Sequence, residues 1–336
     1  MITESVLAWY DQNRRSFLWR AKSGELPDFY HVWLSEIMLQ QTNTTTVTPY
    51  FQRFIERWPT LQDLASAELD DILHAWQGLG YYSRARSLYK AAQALSCAAP
   101  KTEAELLKIP GIGPYTAGAI AAIVYDLPSQ PVDGNIARIY ARLNELGETK
   151  PSLYKKVQQI LARDTPLRRN GDFVQALMDI GATICLPKKP LCSLCPVQSY
   201  CQSYQNQTQL SFPMKIEKPR LPHLHAYVYW LENPLGQVLI RKRPETGLLA
   251  GLYEFPSSEW RESEVLTHID LPFPAAFADV VHGINHTFTH FHLTLQIVPG
   301  RVCESDLMGL WVHPQDFHKY AFPSLMKKIM TAIKRL

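Results

Sequence analysis

The stretch 181-GATICLPKKPLCSLCPVQSYC-201 holds four of the six cysteines in the chain, spaced Cys185-x6-Cys192-x2-Cys195-x5-Cys201. Iron–sulfur clusters are held by four thiolates close together in sequence. Zinc also accepts four cysteines, but its structural sites pair two short knuckles. Here there is one, Cys192-x2-Cys195. The spacing therefore favours an iron–sulfur cluster, with zinc and four unrelated buried thiols as the alternatives. The remaining cysteines, Cys97 and Cys303, stand alone and read as core residues.

Around this loop the charge is one-sided. No acid lies between Asp179 and Glu217, whereas Lys188, Lys189 and Lys215 do. A ligated loop with unopposed lysines would suit phosphate; the plainer alternative is a solvated loop. The whole chain has 336 residues and a formal charge of only +3, so local charge has to decide the partner. Its length suggests two domains, and 46% hydrophobic with 19% charged residues fits folded structure. No apolar run reaches membrane-span length, and the N-terminus lacks a signal pattern. The expected location is cytoplasmic, associated with the nucleoid in a bacterium or nuclear in a eukaryote. Disulfides are not expected there.

Residues 1–205 read as helical. The segments 69–80 and 84–96 carry apolar residues at helical spacing, with Gly78 and Gly80 as punctuation. The run 102–126, TEAELLKIPGIGPYTAGAIAAIVYD, reads as helix, glycine turn, helix, with Thr102 and Glu105 as a capping box and Pro114 in the second helix's first turn. Residues 206–221 read as a linker. From 222 to 336 the pattern becomes α+β, with strands at 225–232, 236–244 and 288–298 and a closing helix from 323.

Three motifs carry chemistry. In 109-IPGIGPYTAG-118, Gly111 and Gly113 let the backbone approach an anion at a helix start. Between Asp71 and Glu103 there is no acid, while Arg84, Arg86, Lys90 and Lys101 are present; Arg84 and Arg86 are candidate phosphate contacts. In 32-VWLSEIMLQQT-42, Glu36 sits among apolar residues, which would raise its pKa and suit a general acid; the alternative is a surface residue on a polar stripe. In 131-PVDGNIARIYAR-142, Asp133 reads as a helix N-cap and as a carboxylate able to stabilise a sugar cation.

Taken together, WLSEIMLQQT, GLGYYSRAR, IPGIGPYTAG, VDGN, the four cysteines and HTFTHFHL resemble the MutY family of DNA glycosylases, over both domains. The fold implied is an all-α helix-hairpin-helix glycosylase domain with an iron–sulfur cluster loop (185–201), followed by an α+β Nudix-like domain. The activity implied is removal of adenine opposite 8-oxoguanine or guanine in double-stranded DNA, by a monomer. Glu36 would protonate the adenine and Asp133 would stabilise the oxocarbenium ion. Tyr115 and Asn135 would support the sugar and water side. Arg20 and Gln175 would contact the flipped base, and Gln41 and Tyr81 would wedge into the duplex. Cys185, Cys192, Cys195 and Cys201 would hold the cluster.

Tyr115 occupies the place of the attacking lysine in the related endonuclease III branch, so strand cleavage by Schiff-base chemistry is not expected. The run 239–256 resembles the Nudix fold, but the following SSEWRESEVLTH lacks the metal-binding glutamate box, which speaks against pyrophosphohydrolase activity. Phe288, Thr289 and His290 match the family's lesion-reading loop, with Thr289 where serine is common; aromatic strand packing is the plainer alternative. A pyrimidine-lesion glycosylase with lyase activity and a non-catalytic iron–sulfur lesion binder remain as competing functions.

Overall fold

Several helices begin where a short polar side chain accepts a backbone N–H. Asp28 caps Phe29–Leu39, Asn43 caps Thr44–Arg57, and Asp133 caps Gly134–Leu143. Thr102 and Glu105 form the expected capping box on Glu103–Leu106, and Pro114 opens Pro114–Tyr125. The computed structural model describes residues 1–22, 24–96, 100–216, 219–262, 276–277, 281–302 and 307–334. Cys97, Cys303 and the later part of the 257–268 run lie outside them. Among the described residues no helix is long and apolar enough to cross a membrane.

The chain forms two compact units, Met1–Ser66 with Ser87–Glu217, and Ala67–Arg86 with Lys218–Leu336. The first is helical. One of its cores gathers Tyr140, Leu161, Phe173 and Ile180 from the helices Gly134–Leu143, Ser152–Asp164 and Asn170–Thr183, with Cys185, Cys195 and Cys201 packed against it. The helix Phe29–Leu39 is buried from Val32 to Met38. A helix without a wet face needs partners all round, and it packs on Pro114–Tyr125, whose small residues Ala117, Gly118, Ala121 and Ala122 are also buried.

The second unit is built on seven strands among the described residues: β1 (His223–Glu232), β2 (Val238–Lys242), β3 (Tyr253–Glu254), β4 (Ala276–Phe277), β5 (Val281–Thr287), β6 (His292–Arg301) and β7 (Leu310–Val312). β1 and β6 run parallel, in register from His223 opposite His292 to Glu232 opposite Arg301, and the other pairings are antiparallel. One sheet face packs Trp230, Phe255, Phe322 and the helix Ser324–Ile333. The strand expected over 288–298 starts only at His292. Residues 288–291 form the turn of the β5–β6 hairpin, closed by Phe288 N–H donating to the Phe291 carbonyl at 2.9 Å. Alternation of aromatic and polar residues imitates a strand there, but a hairpin needs its turn.

The helix expected over 69–80 stops at Ala75, and the chain turns through Gly78 and Gly80 at positive φ. Segment 67–86 packs with C-terminal residues. Lys242 bonds both Asp70 carboxylate oxygens, at 2.7 and 2.8 Å, and Gln77 donates to the Tyr320 carbonyl at 3.1 Å. His74 Nε2 lies 2.6 Å from the His318 carbonyl.

Candidate active site and iron–sulfur loop

Arg20, Glu36, Gln41, Gly111, Gly113, Tyr115, Asp133, Asn135 and Gln175 all line one cavity of about 1030 Å³ in the helical unit. Glu36 is 7% exposed at the cavity wall. Burial pushes its carboxyl up to about 7, helped by the nearby Asp133 charge and opposed by a hydrogen bond from the Tyr115 hydroxyl and by the Arg20 charge. The bland surface-stripe reading of Glu36 is excluded by that burial. A carboxyl with a pKa near 7 holds its proton long enough to deliver it at neutral pH.

Asp133 is the helix N-cap expected of it and also lines the cavity. Its Oδ1 accepts from Asn135 N–H at 2.9 Å and Ile136 N–H at 2.7 Å, and its Oδ2 accepts from Asn135 Nδ2 at 2.9 Å. Desolvation raises its pKa, while these bonds and the Arg138 charge hold it down. The carboxylate is thus fixed in place with its cap role fulfilled and still lines the cavity. Tyr115 titrates well above the usual phenol range because it is desolvated and lies near both acids, so it stays a neutral donor.

Sequence reasoning missed the residues that hold these in place. Asp179, 2% exposed, takes the Arg20 guanidinium in two bonds of 2.6 and 2.9 Å. Arg138 donates to Asn135 Oδ1 at 2.9 Å, the Gly181 carbonyl at 2.6 Å and the Cys185 carbonyl at 2.7 Å. Four residues on, buried Arg142 donates to the Leu186 carbonyl at 2.8 Å and to Cys185 Sγ at 3.3 Å. Two arginines at i, i+4 share one helix face, and that spacing in GNIARIYARL was the readable signal. Gly181 sits so close to this network that a Cβ there would lie 2.4 Å from Asn135 Cβ.

In the hairpin, Gly111 has φ +78°, and a Cβ there would meet Ser87 Cβ at 2.5 Å. Both the turn and the close approach require glycine. Gly111 and Gly113 are exposed, as an anion-binding backbone must be.

The four cysteines are brought together. Burial raises the thiol pKa of Cys195, up to about 12, and those of Cys192 and Cys201; the charges of neighbouring cysteines add to each shift. Loading with metal would replace these protons. The four thiols, with Arg142 donating to the Cys185 sulfur, fit the cluster-binding loop expected from the sequence.

The remaining candidates lie in the second unit. Tyr81, Phe288, Thr289 and His290 line a separate cavity of about 640 Å³. The Tyr81 hydroxyl and Thr289 Oγ1 are 3.1 Å apart. Phe288 joins a ring cluster with Phe291, His286 and Trp260, in tilted and edge-on contacts. Gln41 and Tyr81 both have left-handed backbones, φ +58° and +47°, and both are exposed. Strain of this kind at non-glycine residues gathers at functional sites. Two of the candidate phosphate contacts, Arg84 and Arg86, have partners within the second unit. Arg84 is buried and donates to the Leu79 and Gly80 carbonyls, both at 3.1 Å, so it braces the turn before Tyr81. Arg86 pairs with Glu245 and donates to the Glu245 carbonyl.

Comparison with known proteins follows the same division. Residues 34–166 match the HhH-GPD superfamily base excision DNA repair protein, residues 185–201 the iron–sulfur binding domain of endonuclease III, and residues 227–332 a NUDIX domain. The adenine DNA glycosylase of Homo sapiens is 36% identical over 97% of this chain and 72% of its own length. That of Buchnera aphidicola subsp. Baizongia pistaciae is 32% identical over 99% of this chain and 96% of its own. A solved thermostable thymine-DNA glycosylase shares the helical fold, with TM-score 0.53 and 24% identity over 61% of this chain and 95% of that one. With its helix-hairpin-helix fold, its [4Fe–4S] cofactor and its Nudix-like second domain, the chain belongs to the adenine DNA glycosylase (MutY) family of base excision repair enzymes.

Proposed function

We propose that the enzyme removes adenine paired with 8-oxoguanine, or with guanine, from duplex DNA, working as a monomer and without cleaving the strand. The observation that carries this reading is one cavity lined by a carboxyl with a pKa near 7, a second, anchored carboxylate and a neutral tyrosine bonded to the first. Adenine must leave the base stack to reach such a site. Arg20 and Gln175 are its contacts, and Gln41 and Tyr81 fill the space left in the duplex.

Glu36 gives its proton to the adenine ring as the C1′–N9 bond breaks, so the bonding electrons leave with a neutral base. Positive charge develops on the sugar, and Asp133 stabilises it as a carboxylate. Water then adds at C1′, with Asn135 and Tyr115 ordering that side, and its proton returns to the carboxylates. The relaxed Glu36 regains its proton for another cycle. No amine lies in the cavity at Tyr115, so the abasic product keeps an intact strand.

Cys185, Cys192, Cys195 and Cys201 are the proposed cluster ligands. Holding the cluster, they would tie loop 185–201 into one piece, and the loop's exposed Lys188 and Lys189 would meet phosphate. Damage is read on the opposite strand, because adenine itself is a normal base. Residues 222–336 form the proposed recognition domain, together with segment 67–86, and within it Phe288, Thr289 and His290 are the readers; residues 1–205 otherwise form the catalytic domain, and 206–221 link the two.

The test incubates the full chain with duplexes carrying adenine opposite 8-oxoguanine, adenine opposite guanine, or thymine glycol. Base loss followed by alkali-dependent strand breakage on the first two is the expected result. Alkali-independent cleavage of the thymine glycol strand, or a borohydride-trapped adduct, would overturn it.

A further inference from the structure

A second cavity in the helical unit, about 400 Å³, shares Trp19, Arg20, Val32, Ile123 and Gln175 with the catalytic cavity. Its far side is lined by Lys22, Glu25 and Leu26, all exposed, Leu26 at 93%. The two spaces therefore meet at one partition of five side chains, and the second opens to solvent away from the hairpin glycines, which line only the first. Its volume lies in the range that takes a small heteroaromatic ligand.

The partition is not equally firm. Arg20 is clamped twice by buried Asp179. Gln175 donates a hydrogen bond of 3.1 Å to the Gly171 carbonyl of its own helix. A rotation about its side-chain bonds breaks that contact, whereas moving Arg20 breaks a buried ion pair. Of the two polar side chains in the partition, Gln175 thus costs less to displace.

We propose that this second cavity is the exit chamber for the excised base, a binding site for a free purine. The inference rests on the reaction proposed above. While the abasic sugar and its flanking phosphates still fill the mouth of the catalytic cavity, the released base cannot return the way it came. Displacing Gln175 lets a neutral, flat ring pass from the first cavity to the second. There Trp19 and Val32 offer apolar surface, and Arg20 with Gln175 offers donors to ring nitrogens. The base then leaves past Leu26, and the abasic product can remain bound and protected behind it.

The experiment uses the full chain and a duplex whose target adenine is radiolabelled. Denaturing quench measures total cleaved adenine, and filtration that retains protein–DNA complexes measures adenine already free. Ala21→Trp and, separately, Leu26→Trp place bulk in the second cavity, which these residues line without lining the first. The expected result is cleavage on the wild-type time course with free adenine appearing at least about tenfold more slowly in one or both variants, as when product release limits turnover. Cleavage and release that remain coincident in both variants would overturn the exit chamber. Loss of cleavage in both would also overturn it, since the second cavity would then serve the chemistry instead. Absence of any adenine release by the unaltered chain would instead defeat the reaction proposed above.

Discussion

The catalytic cavity and the cavity at the β5–β6 hairpin are held by opposite means. In the first, charges are buried and tied: Asp179 on Arg20, backbone N–H groups on Asp133, a phenol on Glu36. In the second, rings and hydroxyls do the holding, with Phe288, Phe291, His286 and Trp260 around an exposed Thr289. Desolvation pushes Glu36 up to neutrality and His286 down, so the first cavity stores a proton and the second sheds one. The difference teaches where each kind of error would show. Chemistry needs a charge state prepared in advance, whereas discrimination between two similar bases needs one hydrogen bond placed on a firm apolar base.

The largest effect should come from Glu36→Gln. It keeps the shape and removes the proton, so single-turnover base release should fall by about 10²–10⁴-fold, the usual worth of a general acid. Duplex binding by gel shift should be nearly unchanged; retained base release would remove the residue from the reaction. The same group makes two pH predictions. Activity should decline as pH rises through about 7, because the proton to be donated is lost. Stability should decline as well, between the ordinary carboxyl pKa and about 7. In that window the unfolded chain has released the proton and the folded chain retains it, so the slope of stability against pH is negative. Denaturant titrations of Glu36→Gln should lack that contribution.

Next in size is Gly181→Ala. The added carbon meets Asn135 at 2.4 Å, and overpacking of this kind costs typically about 1–3 kcal/mol. Because Asn135 holds Asp133, the cleavage rate should drop along with the melting temperature. A variant that melts early yet cleaves at full rate would separate the packing from the chemistry. The smallest effect belongs to the second cavity. Thr289→Val deletes one hydroxyl and keeps the shape, so preference for 8-oxoguanine over guanine should narrow by roughly ten- to a hundredfold at most, the worth of about 1–3 kcal/mol. Competition between the two duplexes measures it. An unchanged preference would move the reading of the lesion elsewhere on the hairpin.

How much of this was legible beforehand depends on the range of the interaction. Caps and turns are local, so Thr102, Glu105, Pro114 and Asp133 stood where their neighbours in sequence placed them. The nine residues of the catalytic cavity could be proposed because each lies in a short motif of recognisable chemistry. Asp179 could not, since its role is a contact 159 residues away; Arg138 left a readable trace in its i, i+4 spacing with Arg142, but its partner Cys185 lies 47 residues on. The internal partners of Arg84 and Arg86 were hidden for a related reason. Charge counts along a sequence do not reveal that a guanidinium is consumed by nearby carbonyls or by a carboxylate 159 residues on. The 288–291 turn misled because its alternation is that of a strand, and only the pairing of β5 with β6 turns it into a corner.

The packing of segment 67–86 against residues beyond 240 sets a timetable for the nascent chain. Asp70 waits for Lys242, and His74 for His318, partners that leave the ribosome 172 and 244 residues later. At ordinary elongation speeds that delay is roughly ten to fifty seconds. Through it the turn bearing Tyr81 lacks its final neighbours, and the parallel β1–β6 pair is likewise incomplete until Arg301 has been made. A ribosome stalled or a message cut short before the last third would thus release a polypeptide whose early helical part has most of its partners, but whose Tyr81 turn has none of the C-terminal ones.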